Sequence, residues 1–412
     1  MEIDKLRANG TRLVDALREM AEIGATPGGG VQRLTLSDED KRARDLLASW
    51  WKELDLEIIV DEMGNMFGTR PGQKDLPPVM TGSHVDSQPK GGRFDGILGV
   101  MGALEVMRTL VENKIETVRP VTLVNWTNEE GSRFAPAMLG SGVWAGKLNR
   151  DWAYGRTDIN GKKVLDELVR IGYQGPAPAK ARPFAAYYEY HIEQGPILER
   201  VGKTIGVPKG IFCLHWYDVY LEGKANQVGP TPMEGRNDAL CAAAEMILKV
   251  NELPGRMGGG MVATVGEIQN YPNSRNIIPD RVHFTVDIRS WDDDLALRAW
   301  DKVRDDFEAI AARRGCPIRI ETTWRVEHTP FNQKLVDVIT AAAGKLGYDP
   351  HPMVSGAGHD ASYMTMLGPT AMIFVPSIGG RSHVEVENTT WDDCKSGTDV
   401  LLHAVLASAM AD

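Results

Sequence analysis

The amino-acid sequence predicts an α/β fold with a mostly parallel sheet, interrupted by a smaller inserted α+β domain. Short apolar runs, which we interpret as buried strands, are each followed by a polar turn and a helix, and this is the pattern of an α/β sheet. The pattern stops near residue 210 and returns from about residue 333. We therefore expect one domain from residues 1–210 and 329–412, and a second domain from residues 211–328.

The charge balance of the chain favours a small-molecule ligand. The 412 residues carry a net charge of −10, and a surface excess of carboxylates disfavours binding to nucleic acid or to an anionic membrane. The segment Met1–Arg7 carries charges where a signal peptide needs an apolar core. No run of about 18 uncharged apolar residues occurs in the sequence. We therefore expect a cytoplasmic protein with no membrane partner.

The cysteines indicate neither a disulfide framework nor a thiolate zinc site. They are far apart in the chain and form no Cys-x-x-Cys pair. We expect buried free thiols at Cys213, Cys241, Cys316 and Cys394.

The first elements of the chain are predicted to have a packing role only. Apolar residues recur with helical spacing over residues 3–20, and a second helix is expected to begin at Ser37, whose side chain is suited to cap it. Residues 56–60 alternate like a strand and end in a turn at Gly64-Asn65.

The next strand ends in one half of a predicted metal site. An apolar run at residues 78–80 begins a short buried strand that ends at His84, and a glycine-rich turn brings Asp95 to the start of a helix at residues 97–112. Imidazole and carboxylate both bind zinc, and its two oxygens allow Asp95 to bridge a pair of ions. Asp86 is placed to accept the ring N–H of His84.

Two further strands end in acidic or His-bearing turns. Residues 121–126 form a predicted buried strand that runs into Glu129 and Glu130, and the stretch at residues 187–195 repeats this arrangement around His191. In open α/β sheets, ligands bind at the carboxyl ends of the strands. We therefore expect these side chains to lie close to one another.

The inserted segment follows the order βαββαβ, which is the ferredoxin-like plan. In its third strand, apolar residues alternate from Val282 to Ile288, so Arg289 points to the opposite face. We therefore expect Arg289 to lie outside the core of its own domain. The predicted elements are strands at residues 211–222, 261–269, 282–289 and 317–327 and helices at residues 237–252 and 292–314.

The α/β pattern returns in the last part of the chain. His383 lies in a turn after a predicted strand, as the other candidate residues do. The elements predicted here are a helix at residues 333–346, a turn at residues 355–360, a buried strand at residues 370–375 and a final helix at residues 391–410.

Three imidazoles and two carboxylates suffice for two metal ions that share one carboxylate. A pair of ions about 3.5 Å apart activates water and polarises a carbonyl oxygen. Glu129 adjoins a ligand and is badly placed to bind the same ion, so we predict that it passes a proton from the water to a leaving nitrogen. This chemistry predicts hydrolysis of an amide-like C–N bond. The ligand sets are His84 and His191 for one ion, Glu130 and His383 for the other, and Asp95 shared by both.

A set of short motifs follows one order from about residue 20 to the C-terminus. They are Gly82-Ser-His-Val-Asp86-Ser, Gly91-Gly-Arg-Phe-Asp95-Gly, Asn128-Glu-Glu-Gly131, His191-Ile-Glu-Gln-Gly195, Pro272-Asn-Ser-Arg-Asn276, Asp287-Ile-Arg289, Ser355-Gly-Ala-Gly-His-Asp360 and Phe374-Val-Pro-Ser377. In these motifs the chain resembles the bacterial N-carbamoyl-L-amino-acid amidohydrolases, of which β-ureidopropionase and allantoate amidohydrolase are close relatives.

The resemblance implies a dinuclear metal site in a catalytic domain, interrupted by a lid domain that also forms a homodimer and closes on the substrate. The domain at residues 211–328 is then the lid and dimerisation domain. Two divalent ions per subunit are expected. Zn²⁺ or Mn²⁺ is our first choice, and Co²⁺ or Ni²⁺ stays open, because all four accept nitrogen and oxygen ligands.

The resemblance also assigns the substrate carboxylate to Gln194, Asn276 and Arg289. A guanidinium group binds a carboxylate through two parallel hydrogen bonds, which agrees with this role. A plainer interpretation stays open for each residue: a hydrogen bond at a helix start, a turn residue and a surface ion pair, respectively. His359 and Gly380 complete the predicted substrate-binding set, and a structural role for His359 in its Gly-rich turn is equally open.

One position departs from the family that the chain resembles. Where that family usually has His in its lid, within Ala-Asn-His-Ala-Gly, this chain has Gln227. The family's His is implied to reach the partner subunit's site and to bind the developing oxyanion. Gln227 donates a neutral N–H but carries neither a charge nor a proton to transfer. Losing an oxyanion donor costs on the order of 10²–10³ in turnover, so a weakened enzyme or a different substrate stays open.

We therefore predict a dimeric, metal-dependent amidohydrolase that removes the carbamoyl group of an N-carbamoyl-L-amino acid or a β-ureido acid. Its catalytic residues are predicted to be Glu129, Asp86 and Gln227. The alternatives are an enzyme for an N-acyl or peptidyl amino acid or an allantoate-like ureide, and a ligand-binding relative without catalysis. Gln227 favours the binder, whereas Glu129 favours the enzyme, because a binder needs no general base.

Overall fold

The computed structural model describes residues 3–411. The described chain divides into two compact units, one that runs up to Gly210 and resumes at Pro330, and one formed by Ile211–Thr329. Within the described residues, no helix combines the length and the apolar character that crossing a membrane requires.

The first unit alternates strands and helices up to the insertion. Its elements there are α1 (Gly10–Ala21), α2 (Asp38–Glu53), β1 (Glu57–Val60), β2 (Met66–Arg70), β3 (Val79–His84), α3 (Ile97–Glu112), β4 (Val121–Trp126), α4 (Leu139–Trp144), α5 (Arg150–Tyr154), α6 (Val164–Ile171), β5 (Ala186–Ile192), α7 (Ile197–Val201) and β6 (Gly206–Ile211).

The first helix is shorter than the apolar spacing predicted. The prediction of one helix over residues 3–20 is wrong, because α1 begins only at Gly10 and residues 3–5 form a separate 3₁₀ turn. Asn9 has an extended backbone, and its side chain accepts the N–H of Arg12. A side chain that satisfies a free N–H of the first turn fixes the start of a helix. The Asn9 cap therefore sets the start of α1, although the apolar spacing continues before it.

The start of α2 was predicted from the same chemistry, and the structure confirms it. The Ser37 hydroxyl accepts the N–H of Asp40 at 3.2 Å. We expect Ser37→Ala to lower the free energy of unfolding by about 1 kcal/mol, because one N–H of the first turn loses its acceptor. Ser49→Ala on the exposed face of α2 is the matched control. Thermal unfolding measures both, and equal melting temperatures for the two variants contradict the role of the cap.

The second unit has the predicted ferredoxin-like order. The predicted strand at residues 261–269 is wrong in one respect, because it consists of two short strands that both pair with one neighbour. The elements are β7 (Cys213–Glu222), α8 (Ala239–Met257), β8 (Val262–Thr264), β9 (Ile268–Tyr271), β10 (Arg281–Ser290), α9 (Asp293–Arg314) and β11 (Ile318–Val326).

The antiparallel sheet of the second unit has the order β11–β7–β10, with β8 and β9 both paired to β10. Val282, Phe284, Val286 and Ile288 of β10 are buried in a core with residues of α8 and α9. Arg289 is half-buried and lies outside that core, as its position on the strand predicted.

The chain then returns to the first unit, whose sheet has nine strands within the described residues. Their order is β1–β2–β4–β3–β5–β14–β6–β12, and β13 pairs with β6. The central strands β4, β3, β5 and β14 are parallel, so their carboxyl ends share one edge. This confirms the predicted mainly parallel sheet. The returning elements are β12 (Thr329–Pro330), α10 (Gln333–Lys345), β13 (His351–Ser355), α11 (Ala361–Met364), β14 (Thr370–Val375) and α12 (Trp391–Ala409).

Candidate metal centre

His84 is the last residue of β3 and is almost completely buried. Its Nδ1 lies 2.9 Å from the backbone carbonyl of Asp86. A carbonyl only accepts, so Nδ1 carries the proton and Nε2 keeps its lone pair. Nε2 is buried and has no hydrogen-bond partner among the described residues. Burial lowers the pKa of His84 to about 4, so the ring is neutral and suited to bind a metal ion.

Asp86 accepts the ring N–H of His84 as predicted, but through its backbone carbonyl and not through its carboxylate. The distance from Nδ1 to Oδ1 of Asp86 is 3.6 Å. The carboxylate instead accepts the backbone N–H groups of Glu129 and Glu130, each at 3.3 Å. Asp86 therefore holds the turn after β4 in place, and only its backbone orients the imidazole.

His191 has the same arrangement at the end of β5. Its Nδ1 lies 2.9 Å from the backbone carbonyl of Ile192, which leaves Nε2 as the acceptor of the Gly96 N–H at 3.1 Å. Gly96 has a φ of 66°, and a Cβ there would lie 2.3 Å from ring atoms of His84. Only glycine lets the chain pass this close to both imidazoles.

Asp95 lies between these rings and a third one. Its Oδ1 is 3.2 Å from Nε2 of His191 and 3.7 Å from Nε2 of His84. Its Oδ2 is 3.2 Å from Nε2 of His383. Burial raises the pKa of Asp95, but its close contacts with the imidazoles of His191 and His383 outweigh this effect and hold the pKa well below its usual range. The two oxygens therefore face different imidazoles, which is the geometry that a bridging carboxylate needs.

Glu130 is a second carboxylate beside His383. Its Oε2 is 3.4 Å from Nε2 of His383. Gln88 fixes this carboxylate with its backbone N–H at 3.1 Å and its side-chain amide at 2.7 Å. Burial and the charge of Asp95 raise the pKa of Glu130 well above its usual value.

The donor atoms form two overlapping groups, each within 4.8 Å, and Asp95 belongs to both. The groups consist of nitrogen and carboxylate oxygen, which are donors that Zn²⁺ and Mn²⁺ accept. A divalent cation would also give the buried Nε2 of His84 a partner and offset the repulsion between Asp95 and Glu130. The residues therefore fit a pair of divalent ions. The groups are His84, Asp95 and His191, and Asp95, Glu130 and His383.

Glu129 lies beside the first group without belonging to it. Its Oε2 is 3.4 Å from Nε2 of His84, and the residue is 7% exposed. Burial, followed by the charges of Asp360 and Glu130, raises the pKa of Glu129 well above its usual value. A carboxylate with a raised pKa, adjacent to the metal-binding groups, is suited to accept and return a proton.

Three residues of this region adopt a left-handed backbone that non-glycine residues rarely adopt. They are Asn128 with φ 59°, Gln194 with φ 61° and His383 with φ 58°. Such conformations cost of order 1–3 kcal/mol each and persist where the surroundings enforce them. Asn128 is enforced by its side-chain amide, which donates to the carbonyls of Phe134 and Pro136. This strain is typical of functional sites.

Sequence reasoning missed Glu387, whose carboxylate holds the backbone around Asp95 in place. It is 2% exposed, and its Oε1 accepts the N–H groups of Phe94 and Asp95 at 3.1 and 3.0 Å. Its Oε2 lies 2.7 Å from the hydroxyl of Ser382, which is also 3.0 Å from Oδ2 of Asp95. Burial and the charge of Asp95 raise the pKa of Glu387 to about 7. A lone Glu ahead of a helix gives no signal in the sequence, because the backbone N–H groups that it accepts are about 290 residues away.

Gln194, predicted to bind substrate, lies at the metal-binding groups. Its side-chain amide donates to Oδ2 of Asp95 at 2.7 Å and lies 3.2 Å from Nε2 of His383. Its Oε1 has no hydrogen-bond partner among the described residues. The structure therefore shows Gln194 bound to Asp95 through its side-chain N–H. Its Oε1 is a hydrogen-bond acceptor without a donor among the described residues.

His359 and Gly380 have structural contacts in the first unit. His359 is buried, its Nε2 lies 3.1 Å from the hydroxyl of Ser355, and its ring lies edge-on to His191 at 4.6 Å. Gly380 has a φ of 63°, and a Cβ there would lie 2.8 Å from Pro196. These contacts agree with the structural alternative for His359, and its role towards substrate stays a prediction.

The remaining predicted residues belong to the second unit, where each has local partners. Arg289 forms an ion pair with Asp287 at 2.9 Å, which is the alternative that the sequence left open. Asn276 accepts the Ser274 hydroxyl at 3.2 Å. Gln227 is exposed on a loop. Their roles towards substrate stay predictions.

Comparisons with known proteins point to one group. The model of Peptidase family M20/M25/M40 matches residues 80–407. An N-carbamoyl-L-amino-acid amidohydrolase of Rhizobium meliloti is 46% identical over 404 residues, covering 98% of this chain and 97% of that protein. An allantoate amidohydrolase of Escherichia coli (strain K12) is 33% identical over 390 residues, covering 94% and 95%. The crystal structure of an amidase of the hydantoinase/carbamoylase family from Burkholderia multivorans superposes with a TM-score of 0.94 at 47% identity, covering 98% of this chain and 99% of that one.

Proposed function

Because the chain belongs to peptidase family M20/M25/M40, we propose that it is a metal-dependent amidohydrolase that removes the carbamoyl group of an N-carbamoyl-L-amino acid. The observation that carries this proposal is the pair of donor groups that share Asp95, with Glu129 beside them. The names of the relatives at 46% and 36% identity, both N-carbamoyl-L-amino-acid amidohydrolases, support the choice of substrate.

Two divalent ions per subunit are proposed, Zn²⁺ or Mn²⁺ in the first place and Co²⁺ or Ni²⁺ as alternatives. When bound, such a pair lowers the pKa of water and polarises the carbonyl of the substrate. His84 and His191 would hold one ion through Nε2, because Nδ1 of each ring donates to a backbone carbonyl. Glu130 and His383 would hold the other, and Asp95 belongs to both donor groups.

Glu129 is proposed to carry the proton between the two halves of the reaction. Water adds to the carbamoyl carbon, and the Glu129 carboxylate takes the proton that the water gives up. The bond from that carbon to the amino-acid nitrogen then breaks, and the nitrogen receives the proton from Glu129. The amino acid leaves, and the carbamic acid that remains decomposes to CO₂ and ammonia.

The substrate carboxylate is assigned to Arg289, Asn276 and Gln194. A guanidinium group matches a carboxylate in shape and charge, and the ion pair with Asp287 shows that Arg289 adopts this pairing within its own unit. A substrate carboxylate would have to compete with Asp287 for the guanidinium group of Arg289. A homodimer formed through the second unit, a lid role for that unit and a cytoplasmic location belong to the same proposal.

Gln227 is proposed to donate a neutral hydrogen bond to the developing oxyanion. A neutral amide stabilises the negative charge less than an imidazolium does, so slower turnover is expected than with His at this position. The Gln at position 227 also favours a second candidate function, namely ligand binding without catalysis.

Ammonia release from a substrate panel tests the proposed function. The panel holds N-carbamoyl-L- and D-amino acids, N-carbamoyl-β-alanine, allantoate and N-acetyl amino acids, the last with free amino acid as the readout. We expect metal-stripped protein to be inactive and added Mn²⁺ or Zn²⁺ to restore hydrolysis of the N-carbamoyl-L-amino acids. Hydrolysis of allantoate alone would move the assignment to the ureides, towards the Escherichia coli relative. Binding without turnover of any compound would favour the binder.

A further inference from the structure

A second group of metal-binding side chains lies in the second unit. Sγ of Cys213, a ring nitrogen of His215 and a carboxylate oxygen of Asp293 all lie within 4.8 Å of one another. None of these residues belongs to the centre around Asp95. Cys213 and His215 are two residues apart on β7, so both side chains face the core side of the sheet. Asp293 is the first residue of α9.

His215 gives independent evidence that a ligand belongs here. The residue is fully buried, and its Nε2 has no hydrogen-bond partner among the described residues. Its Nδ1 lies 3.4 Å from the hydroxyl of Tyr217, so Nε2 is the nitrogen left without a partner. A buried polar atom without a partner destabilises the folded state, and a metal ion would supply the missing partner.

Asp293 is held in place for such a role. Its Oδ1 accepts the backbone N–H of His328 at 3.0 Å, and its Oδ2 pairs with Nδ1 of the same residue. Each carboxylate oxygen has a further lone pair for an ion. Partners of this kind fix the orientation of metal ligands in known sites. The Asp293 side chain is 21% exposed, which gives an ion a path from solvent.

We propose that Cys213, His215 and Asp293 form a metal site for a borderline-soft divalent ion, Zn²⁺ or Co²⁺. Thiolate sulfur, imidazole nitrogen and carboxylate oxygen are all donors that zinc accepts, and the combination with sulfur excludes Mg²⁺ and Ca²⁺. Ligand atoms of a zinc site lie about 3.4–3.8 Å apart at normal bond lengths, and the three donor atoms, all within 4.8 Å of one another, are close enough to surround one ion. The fourth position is left to water on the Asp293 side.

Binding at this site releases a proton. Burial raises the pKa of the Cys213 thiol to about 11, so Sγ carries its proton at neutral pH. As the metal–sulfur bond forms, the S–H bond breaks and the proton passes to solvent. Arg325, exposed on β11 opposite His215, adds a positive charge nearby. The thiolate and the Asp293 carboxylate supply two negative charges against it.

The site would stabilise the second unit by linking several of its elements. It would join the first strand of that unit to the start of α9, and through Asp293 it would join α9 to His328, which follows β11. Elements that are far apart in sequence would be tied together at one point, which stabilises a small domain. The spacing of the cysteines did not predict this site, because its third ligand is about 80 residues from the other two.

Cobalt is the probe that separates this site from the centre around Asp95. The proposed ligands of that centre are nitrogen and oxygen only, so thiolate-to-cobalt charge-transfer absorption reports on a cysteine alone. We expect full-length protein loaded with Co²⁺ to show this absorption, Cys213→Ser to lose it, and Cys316→Ser, a buried free thiol of the same unit, to keep it. Wild-type protein saturated with Co²⁺ that shows no such absorption overturns the proposal, and so does a band that survives in Cys213→Ser.

A second measurement needs no variant and guards against a Cys213→Ser protein that fails to fold. X-ray absorption of the wild-type zinc form is expected to show sulfur at about 2.3 Å from part of the zinc. A first shell of nitrogen and oxygen alone contradicts the proposal. Neither experiment measures hydrolysis, so the proposed amidohydrolase and this site fail independently.

Discussion

Glu129→Gln is expected to lower kcat by about 10²–10⁴-fold while the protein keeps its bound metal. The substitution keeps the shape of the side chain but removes the carboxylate that accepts and returns the proton. Glu129 lies 3.4 Å from Nε2 of His84 and belongs to neither donor group, so metal content should not change. Ammonia release and elemental analysis of the same sample measure both quantities.

Glu112→Gln is the matched control, because Glu112 is a surface residue of α3 paired with Arg12. It is expected to behave like the wild type. A Glu129→Gln protein with normal turnover would remove Glu129 from the mechanism. Loss of metal in this variant would instead make Glu129 a ligand.

Asp95→Asn is expected to abolish turnover and to remove two ions per subunit relative to the wild type. The two oxygens of Asp95 face different imidazoles at 3.2 Å, and an amide offers one neutral oxygen and a donor in their place. Even the partners of metal ligands contribute 10–100-fold to metal affinity, so we expect metal affinity to fall by more than about 100-fold at both positions.

Metal content after gel filtration, together with ammonia release, tests this prediction. Asp349→Asn is the control, because Asp349 is a highly exposed carboxylate paired with Lys203. Retention of one of the two ions in Asp95→Asn would show that the carboxylate is not shared.

The strands that carry the site were predictable from the sequence. β4 spans the predicted residues 121–126 and β14 the predicted residues 370–375, because central strands of a parallel sheet are continuous apolar runs that end at polar turns. Parallel strands bring their carboxyl ends to one edge, so His84 and His191 were expected to meet there. The same logic of alternation placed Arg289 outside its core.

Other features depend on contacts between distant parts of the chain and could not be predicted. The helices α4, α5 and α6 are short, with five to eight residues each, and such lengths give little periodic signal. Asp86 was predicted to accept the ring N–H of His84, and it does so through its backbone carbonyl. Its carboxylate accepts the backbone N–H groups of Glu129 and Glu130 instead. Sequence separation cannot decide between two nearby donors of this kind. Glu387 was missed because the backbone N–H groups that it accepts lie about 290 residues away.

Anomalous diffraction from crystals of the zinc-loaded protein tests the central claim most directly. Data collected on both sides of the zinc absorption edge locate the ions without any assumption about their number. At the centre around Asp95, our account predicts two peaks about 3.5 Å apart, one near Nε2 of His84 and His191 and one near Glu130 and His383. The proposed site at Cys213, His215 and Asp293 would add a separate peak in the second unit. A single peak at Asp95, or none, in crystals of protein that hydrolyses N-carbamoyl-L-amino acids would contradict it.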